Sequence, residues 1–144
     1  MPSIRTIQSR DVQFLADTFP EQDYDYFNTL HIDQLQDKSR TWIVHDVDEY
    51  DDLIYLGYAC VQWQSDYTAF WRRNIPEIVV ISVSDDILSE MLKIIEAIAR
   101  ERGHQKVGIR VDSSDEQIYQ SYVYVREAFA QAKGDTIVLN KTLT

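Results

Sequence analysis

Residues 75–83 read IPEIVVISV, an apolar, β-branched run interrupted by Glu77 and Ser82, which is the pattern of a strand covered on both faces. The period then changes. From Ile87 apolar residues recur as Ile87/Leu88, Met91/Leu92, Ile94/Ile95 and Ile98/Ala99, spacings of three and four that build one apolar stripe along a helix. Asp85 and Asp86 suit the start of that helix as N-cap oxygen acceptors and as negative charges at the positive dipole end, and Arg100, Arg102 and Gly103 suit its end. KVGIRV follows as a second strand. A strand, helix and strand of these lengths pair their strands in parallel with a right-handed crossover.

Around this unit the pattern predicts a short edge strand in SIRTI, then a helix through VQFLADTF that Ser9 or Asp11 can cap and Pro20 ends. Phe27, Leu30 and Leu35 define a second short helix in the aromatic and acidic stretch that follows. RTWIVHDV and LIYLGYACVQWQ, separated by the polar turn DEYDD, read as an antiparallel hairpin. SDYTAFWRRN connects the hairpin to the central strand. After the second parallel strand, Ile118, Tyr122, Val125 and Phe129 fall at offsets of four, seven and eleven, which predicts a helix through IYQSYVYVREAFAQA with Tyr124 about 120° off its apolar stripe. TIVLNKTL alternates into a last strand. The order is β-α-α-β-β-β-α-β-α-β, an α/β chain with a mixed central sheet of about six to seven strands and helices on both faces, read as one domain over residues 1–144.

Charge changes the picture more than composition does. The net charge is −10, and the segment from Asp11 to Asp52 carries it: twelve acidic residues stand there against Lys38 and Arg40, while the remainder is balanced. Nucleic acid is disfavoured as a partner, because its affinity comes from Lys and Arg contacts with phosphate. Cationic partners, either amines or basic protein segments, are favoured, and the alternative is a solvated surface kept soluble by like charge. No apolar run reaches the ~20 residues of a membrane span and the first residues lack a signal-peptide core, so the expected partner is not a membrane and the expected location is the cytoplasm. Cys60, in LGYACV, reads as a small core residue. His31, His45 and His104 share no spacing with each other, with Cys60 or with a serine that would suggest a metal site or a nucleophile and base, and a homodimer is left open.

The element order, together with NIPEIVVISV, ARERGHQKVGIRV and QSYVYVREAF, resembles the GNAT superfamily of acyl-CoA-dependent N-acetyltransferases over nearly the whole chain. RERGHQKVGIRV is similar to the family's third helix running into its fifth strand. YVREAF is similar to the segment that ends in tyrosine, two or three variable residues, glycine and an aromatic, with Ala128 in the place of the glycine. The resemblance implies a gap between the fourth and fifth strands that admits acetyl-CoA while an amine approaches from the other side. It implies Glu77 as the carboxylate that takes the amine proton and Tyr124 as the phenol that protonates the departing thiolate, two transfers the reaction requires. It further implies backbone donors at Ile81, Ser82 and Val83 for the thioester carbonyl and the pantetheine amides, and an acceptor side at Tyr24, Tyr26 and Phe27, where aromatic faces and carboxylates would receive an ammonium.

One departure stands out. Family members place an Arg/Gln-x-x-Gly-x-Gly/Ala loop between the fourth strand and the third helix to cradle the cofactor's pyrophosphate. Here VSDDILSEML runs from strand to helix without it, no glycine lies between Gly57 and Gly103, and Asp85, Asp86 and Glu90 occupy the helix start. Three readings follow from the sequence: an amine acetyltransferase using acetyl-CoA; a non-catalytic GNAT-like module that binds a cationic partner through its acidic half; and an acyltransferase that uses a different acyl carrier or a partner chain. Glu77 also reads as a solvent-facing residue at a strand entry, Tyr124 as a surface tyrosine, and Asp85 and Asp86 as helix-start residues rather than metal ligands.

Overall fold

The structure, a computed structural model, describes residues 2–127 and 134–144. Its elements are β1 (Ser3–Thr6), α1 (Asp11–Thr18), α2 (Tyr24–Leu35), β2 (Ser39–Val47), β3 (Leu53–Gln62), α3 (Thr68–Arg72), β4 (Glu77–Ser82), α4 (Asp85–Glu101), β5 (Lys106–Asp112), α5 (Glu116–Gln120), β6 (Val125–Arg126) and β7 (Thr136–Thr142). The strands form one mixed sheet in the order β1-β2-β3-β4-β5-β7-β6. Among the described residues only β4 and β5 run parallel; every other neighbouring pair is antiparallel.

The stripe of α4 does what its spacing predicts. Leu88, Met91, Leu92, Ile95 and Ala99 are buried against Trp42, Val44, Ala59, Val61, Ile78, Val107, Ile109 and Leu139 on one face of the sheet. Gly103, with φ +87°, ends the helix in the left-handed region. The opposite face is covered by α1 and α2, whose Val12, Leu15, Phe27 and Leu30 pack on Ile7, Ile43, Tyr58 and Cys60. Cys60 is fully buried, and burial raises its thiol pKa. No helix among the described residues is long and apolar enough to cross a membrane.

Three local differences from the sequence reading have physical causes. Residues 68–72 of the connector fold into a short helix, α3, that seats Phe70 in a third cluster with Ile75 and Val138. Asp11 begins α1 without capping it. Its carboxylate instead accepts two hydrogen bonds from Arg5 and one each from the Tyr55 hydroxyl and the Gln8 N–H, at 2.7–2.8 Å. The helix expected through residue 132 stops at Gln120: Val123 adopts φ +71° and the alternating aromatic and β-branched YVYV leaves the helix in a turn. Ile118 and Val125 are therefore exposed rather than core residues, and Tyr124, expected off the stripe, is fully buried. Phe129 and Ala128 lie outside the described residues.

Phe70 explains a glycine. A Cβ on Gly108 of β5 would sit 2.4 Å from the Phe70 ring, so only a bare backbone lets α3 close over the β4–β5 pairing.

Two outcomes are expected. Gly108→Ala should lower unfolding free energy by about 1–3 kcal/mol in urea titration, because the Phe70 ring must move. Burial acts upward on Asp11, but Arg5 and Tyr55 more than offset it and hold the carboxyl below its ordinary 3.8. Such a group stabilises the fold above its unfolded pKa and loses that contribution as pH falls through its folded pKa. Stability should therefore drop on acidification below about pH 4, and Asp11→Asn should remove this part of the acid dependence.

Candidate functional site

The parallel pair β4 and β5 is joined by two registers only, Glu77↔Gly108 and Ile78↔Ile109. Past Ile78, β4 stays on β3 (Val80↔Cys60, Ile81↔Ala59, Ser82↔Tyr58), while β5 stays on β7 as far as Asp112↔Thr136. Their facing edges part. The gap is a cleft of about 300 Å³ lined by residues 78–81 of β4, residues 109–112 of β5, and Asp115, Tyr119 and Thr136. A bulge sharpens the divergence: Ile78 faces Val61 and Val80 faces Cys60, so Val79 is an extra residue on β4 and turns the local backbone. The β4 edge beyond Ile78 thus presents peptide groups with no ladder partner on β5.

Glu77 stands at the closed end of this gap. It is buried, and both its oxygens are engaged: Oε2 accepts from Arg110 Nε at 2.9 Å, and Oε1 accepts from Arg110 NH2 at 3.3 Å and from Ser65 Oγ at 2.5 Å. Ser65 Oγ in turn accepts from the Tyr67 N–H, and the Arg110 guanidinium stacks 4.7 Å above the Tyr67 ring. Glu77 is therefore not a solvent-facing carboxylate but the buried counter-charge of Arg110.

Tyr124 does not line the gap. Its hydroxyl donates to Glu96 Oε2 at 2.9 Å, and Glu96 Oε1 accepts from Lys141 Nζ at 2.8 Å. Burial, then the Glu96 charge, pushes this phenol far above its ordinary 10. Another tyrosine faces the cleft. Tyr119, 8% exposed, makes no side-chain hydrogen bond among the described residues, and burial followed by Asp115 raises its pKa to about 12. Nothing in IYQSYVYV marked Tyr119 in advance, since a continuous helix would have placed its six aromatic and β-branched positions differently.

Of the backbone positions expected to serve an acyl group, Ile81 lines the gap; Ser82 and Val83 lie just beyond its lining. Ser82 comes so close to Gly57 that a Cβ there would meet its carbonyl oxygen at 2.5 Å, which fixes where β4 ends. The aromatic trio on α2 sits elsewhere, on the α1 side of the sheet. Phe27 is fully buried 5.2 Å from the Tyr58 ring, Tyr26 is half-buried edge-on to Phe27, and Tyr24 alone is exposed. Burial raises the Tyr26 phenol well above its ordinary 10.

Only Val83 and Ser84 separate β4 from α4. The first turn of α4 carries Asp85 and Asp86, both exposed, and the Ser84 hydroxyl bonds to the Asp86 carboxylate. The residues fit one part of an acyl-CoA and not the other: the unpaired β4 edge suits the amides of a pantetheine arm, whereas this helix start offers carboxylates to a diphosphate. A larger cleft, about 780 Å³, lies at the opposite end of β4. There Arg102 stacks on Trp63 at 4.2 Å and pairs with Asp37. Among the described residues no group of histidine, cysteine and acidic side chains is placed to hold a metal.

No family model and no curated protein sequence matches the chain. Solved structures do. A chain assigned to the GNAT acetyltransferase family from Desulfovibrio desulfuricans superposes with TM-score 0.68 at 15% identity, covering 100% of both chains. An N-acetyltransferase from Staphylococcus aureus Mu50 gives 0.72 at 13%, covering 100% of this chain and 99% of the other. PaiA N-acetyltransferase from Thermoplasma acidophilum, in complex with coenzyme A, gives 0.67 at 12%, covering 99% of each. At such identity what is shared is the fold.

Arg110→Ala should cost on the order of 3 kcal/mol of stability, near the low end for breaking a buried pair because the arginine is partly exposed. Glu77→Gln should cost less, since an amide can still accept from Ser65. Paired denaturation curves of the two variants check the order.

Proposed function

From the GNAT fold and the gap between β4 and β5, we propose that this chain is an N-acyltransferase that moves an acyl group from a thioester to an amine. The observation that carries the reading is the parted parallel pair: a thioester arm lying along β4 finds free peptide groups at residues 79–81, the place where a carbonyl oxygen can be polarised. Transfer forms a bond from the amine nitrogen to the carbonyl carbon and breaks the bond from that carbon to sulfur. The ammonium must first lose a proton, and the thiolate must gain one.

The chain's side chains divide that work differently from what the resemblance implied. Tyr119, with an uncommitted hydroxyl in the gap, is the group placed to protonate the sulfur. Tyr124, committed to Glu96, holds residues 119–126 against α4. Glu77 holds Arg110 rigid at the closed end, and its oxygens are free to take a proton only if Arg110 or Ser65 lets go. Away from the gap, on the α1 side of the sheet, Tyr24 and the carboxylates near it in sequence remain the surface that suits an ammonium.

A second reading is supported by the tip of the β2–β3 hairpin. There Asp48 Oδ1 accepts from the N–H groups of Tyr50 and Asp52, and Tyr50 is 77% exposed among acidic residues, with exposed Val47 and Leu53 beside it. An ordered acidic tip with an aromatic residue suits a basic peptide segment.

Mass spectrometry of amines incubated with acetyl thioesters tests the first reading. Tyr119→Phe should lower kcat about 10²-fold, while Tyr124→Phe should act chiefly on stability. The absence of transfer from any thioester by the folded chain would leave the second reading, for which binding of a basic peptide should weaken steeply with salt.

A further inference from the structure

We propose that the donor this cleft accepts is a pantetheine-type thioester without a nucleotide diphosphate, and that Asp85 and Asp86 are the residues that select it. This rests on the transferase reading and names its donor class.

The geometry sets the path. A thioester with its carbonyl near the last parallel pair, Ile78↔Ile109, extends along the open edge of β4 toward Ser82. Two residues later the chain is already in α4, so whatever is attached to the far end of the arm emerges at the first turn of that helix. A helix start normally attracts anions, through its unpaired N–H groups and dipole. Here the attraction is already spent on the chain's own carboxylates. Asp85 and Asp86 fill the first turn, Ser84 turns its hydroxyl to Asp86, and Glu90 follows one turn on.

Among the described residues no ion pair reaches Asp85 or Asp86. The strand end is fixed by the close approach of Ser82 to Gly57, and no glycine stands between Gly57 and Gly103 to let a phosphate reach bare backbone. Of the residues lining the gap, Arg110 is the cation, it sits at the closed end, and Glu77 already neutralises it; Asp112 and Asp115 add two more acids. Two like charges about 4 Å apart in a water-exposed setting weaken binding about fivefold, more where the site is partly desolvated. A diphosphate against two carboxylates should therefore lose at least about tenfold, and an uncharged pantetheine end loses nothing.

Isothermal titration of the full chain with S-acetylpantetheine and with acetyl-CoA decides the matter. S-acetylpantetheine should bind at least tenfold more tightly at low ionic strength, and added salt should narrow the difference. Asp85→Asn/Asp86→Asn, which keeps side-chain shape and the oxygen that accepts from Ser84, should tighten acetyl-CoA while leaving the S-acetylpantetheine Kd unchanged. Acetyl-CoA binding as tightly as S-acetylpantetheine to the unmodified chain, or a ratio that neither salt nor the double substitution moves, overturns the donor assignment and leaves the transferase reading standing. If the folded chain binds neither thioester, both fall. The salt series on the unmodified chain keeps the test intact should the double variant be unstable.

Discussion

Two residue pairs hold the centre of this sheet together. β4 and β5 meet only at Glu77↔Gly108 and Ile78↔Ile109, and everything distinctive about the molecule is built around that short contact. On one face Ile78 and Ile109 enter the core under α4; on the other, Phe70 presses onto Gly108, and Arg110 reaches back to Glu77. A longer parallel ladder would close the cleft, and without this contact the sheet would split. The Glu77–Arg110 ion pair, buried on its carboxylate side, and the ring over a bare glycine clamp the pair at one end, so that it can open at the other.

The buried polar groups follow the same logic. Glu96 interrupts the apolar stripe of α4, yet it is matched by Lys141 from β7 and by the Tyr124 hydroxyl. Unpaired burial of a carboxylate would be costly, whereas a fully hydrogen-bonded one fixes register between elements. Here it ties the turn after α5 to α4, and so fixes the wall of the cleft on which Tyr119 sits. Asp11 has the same part on the opposite face, binding β1, α1 and β3 through Arg5, the Gln8 N–H and Tyr55.

What the sequence disclosed depended on how far apart the cooperating residues lie. The unit from Ile75 to Val111 was legible because its periods are local: a β-branched run, a three-and-four stripe, and acids and arginines at the proper helix ends. The hairpin and the two helices before it were legible for the same reason. The surroundings of Glu77 were not, since its partners are 12 and 33 residues away and no local pattern joins them. Tyr124 was misjudged because a helical period was carried through YVYV, where alternation competes with it and Val123 turns the chain. Tyr119 belongs to the cleft only because the helix ends one residue later. By contrast, Asp85 and Asp86 could be read as a helix start, because dipole effects act within a single turn, although the N-cap position falls to Ser84 and no side chain caps it.

Cys60 lies near the C-terminal end of β3, with no exposed surface and a thiol whose burial disfavours the thiolate. Oxidants and disulfide partners react with the ionised sulfur, and that form is both scarce and shielded here. The native fold is therefore inert to redox chemistry at its only thiol, and exposure of that sulfur to an alkylating reagent would mark the moment at which β3 leaves the sheet.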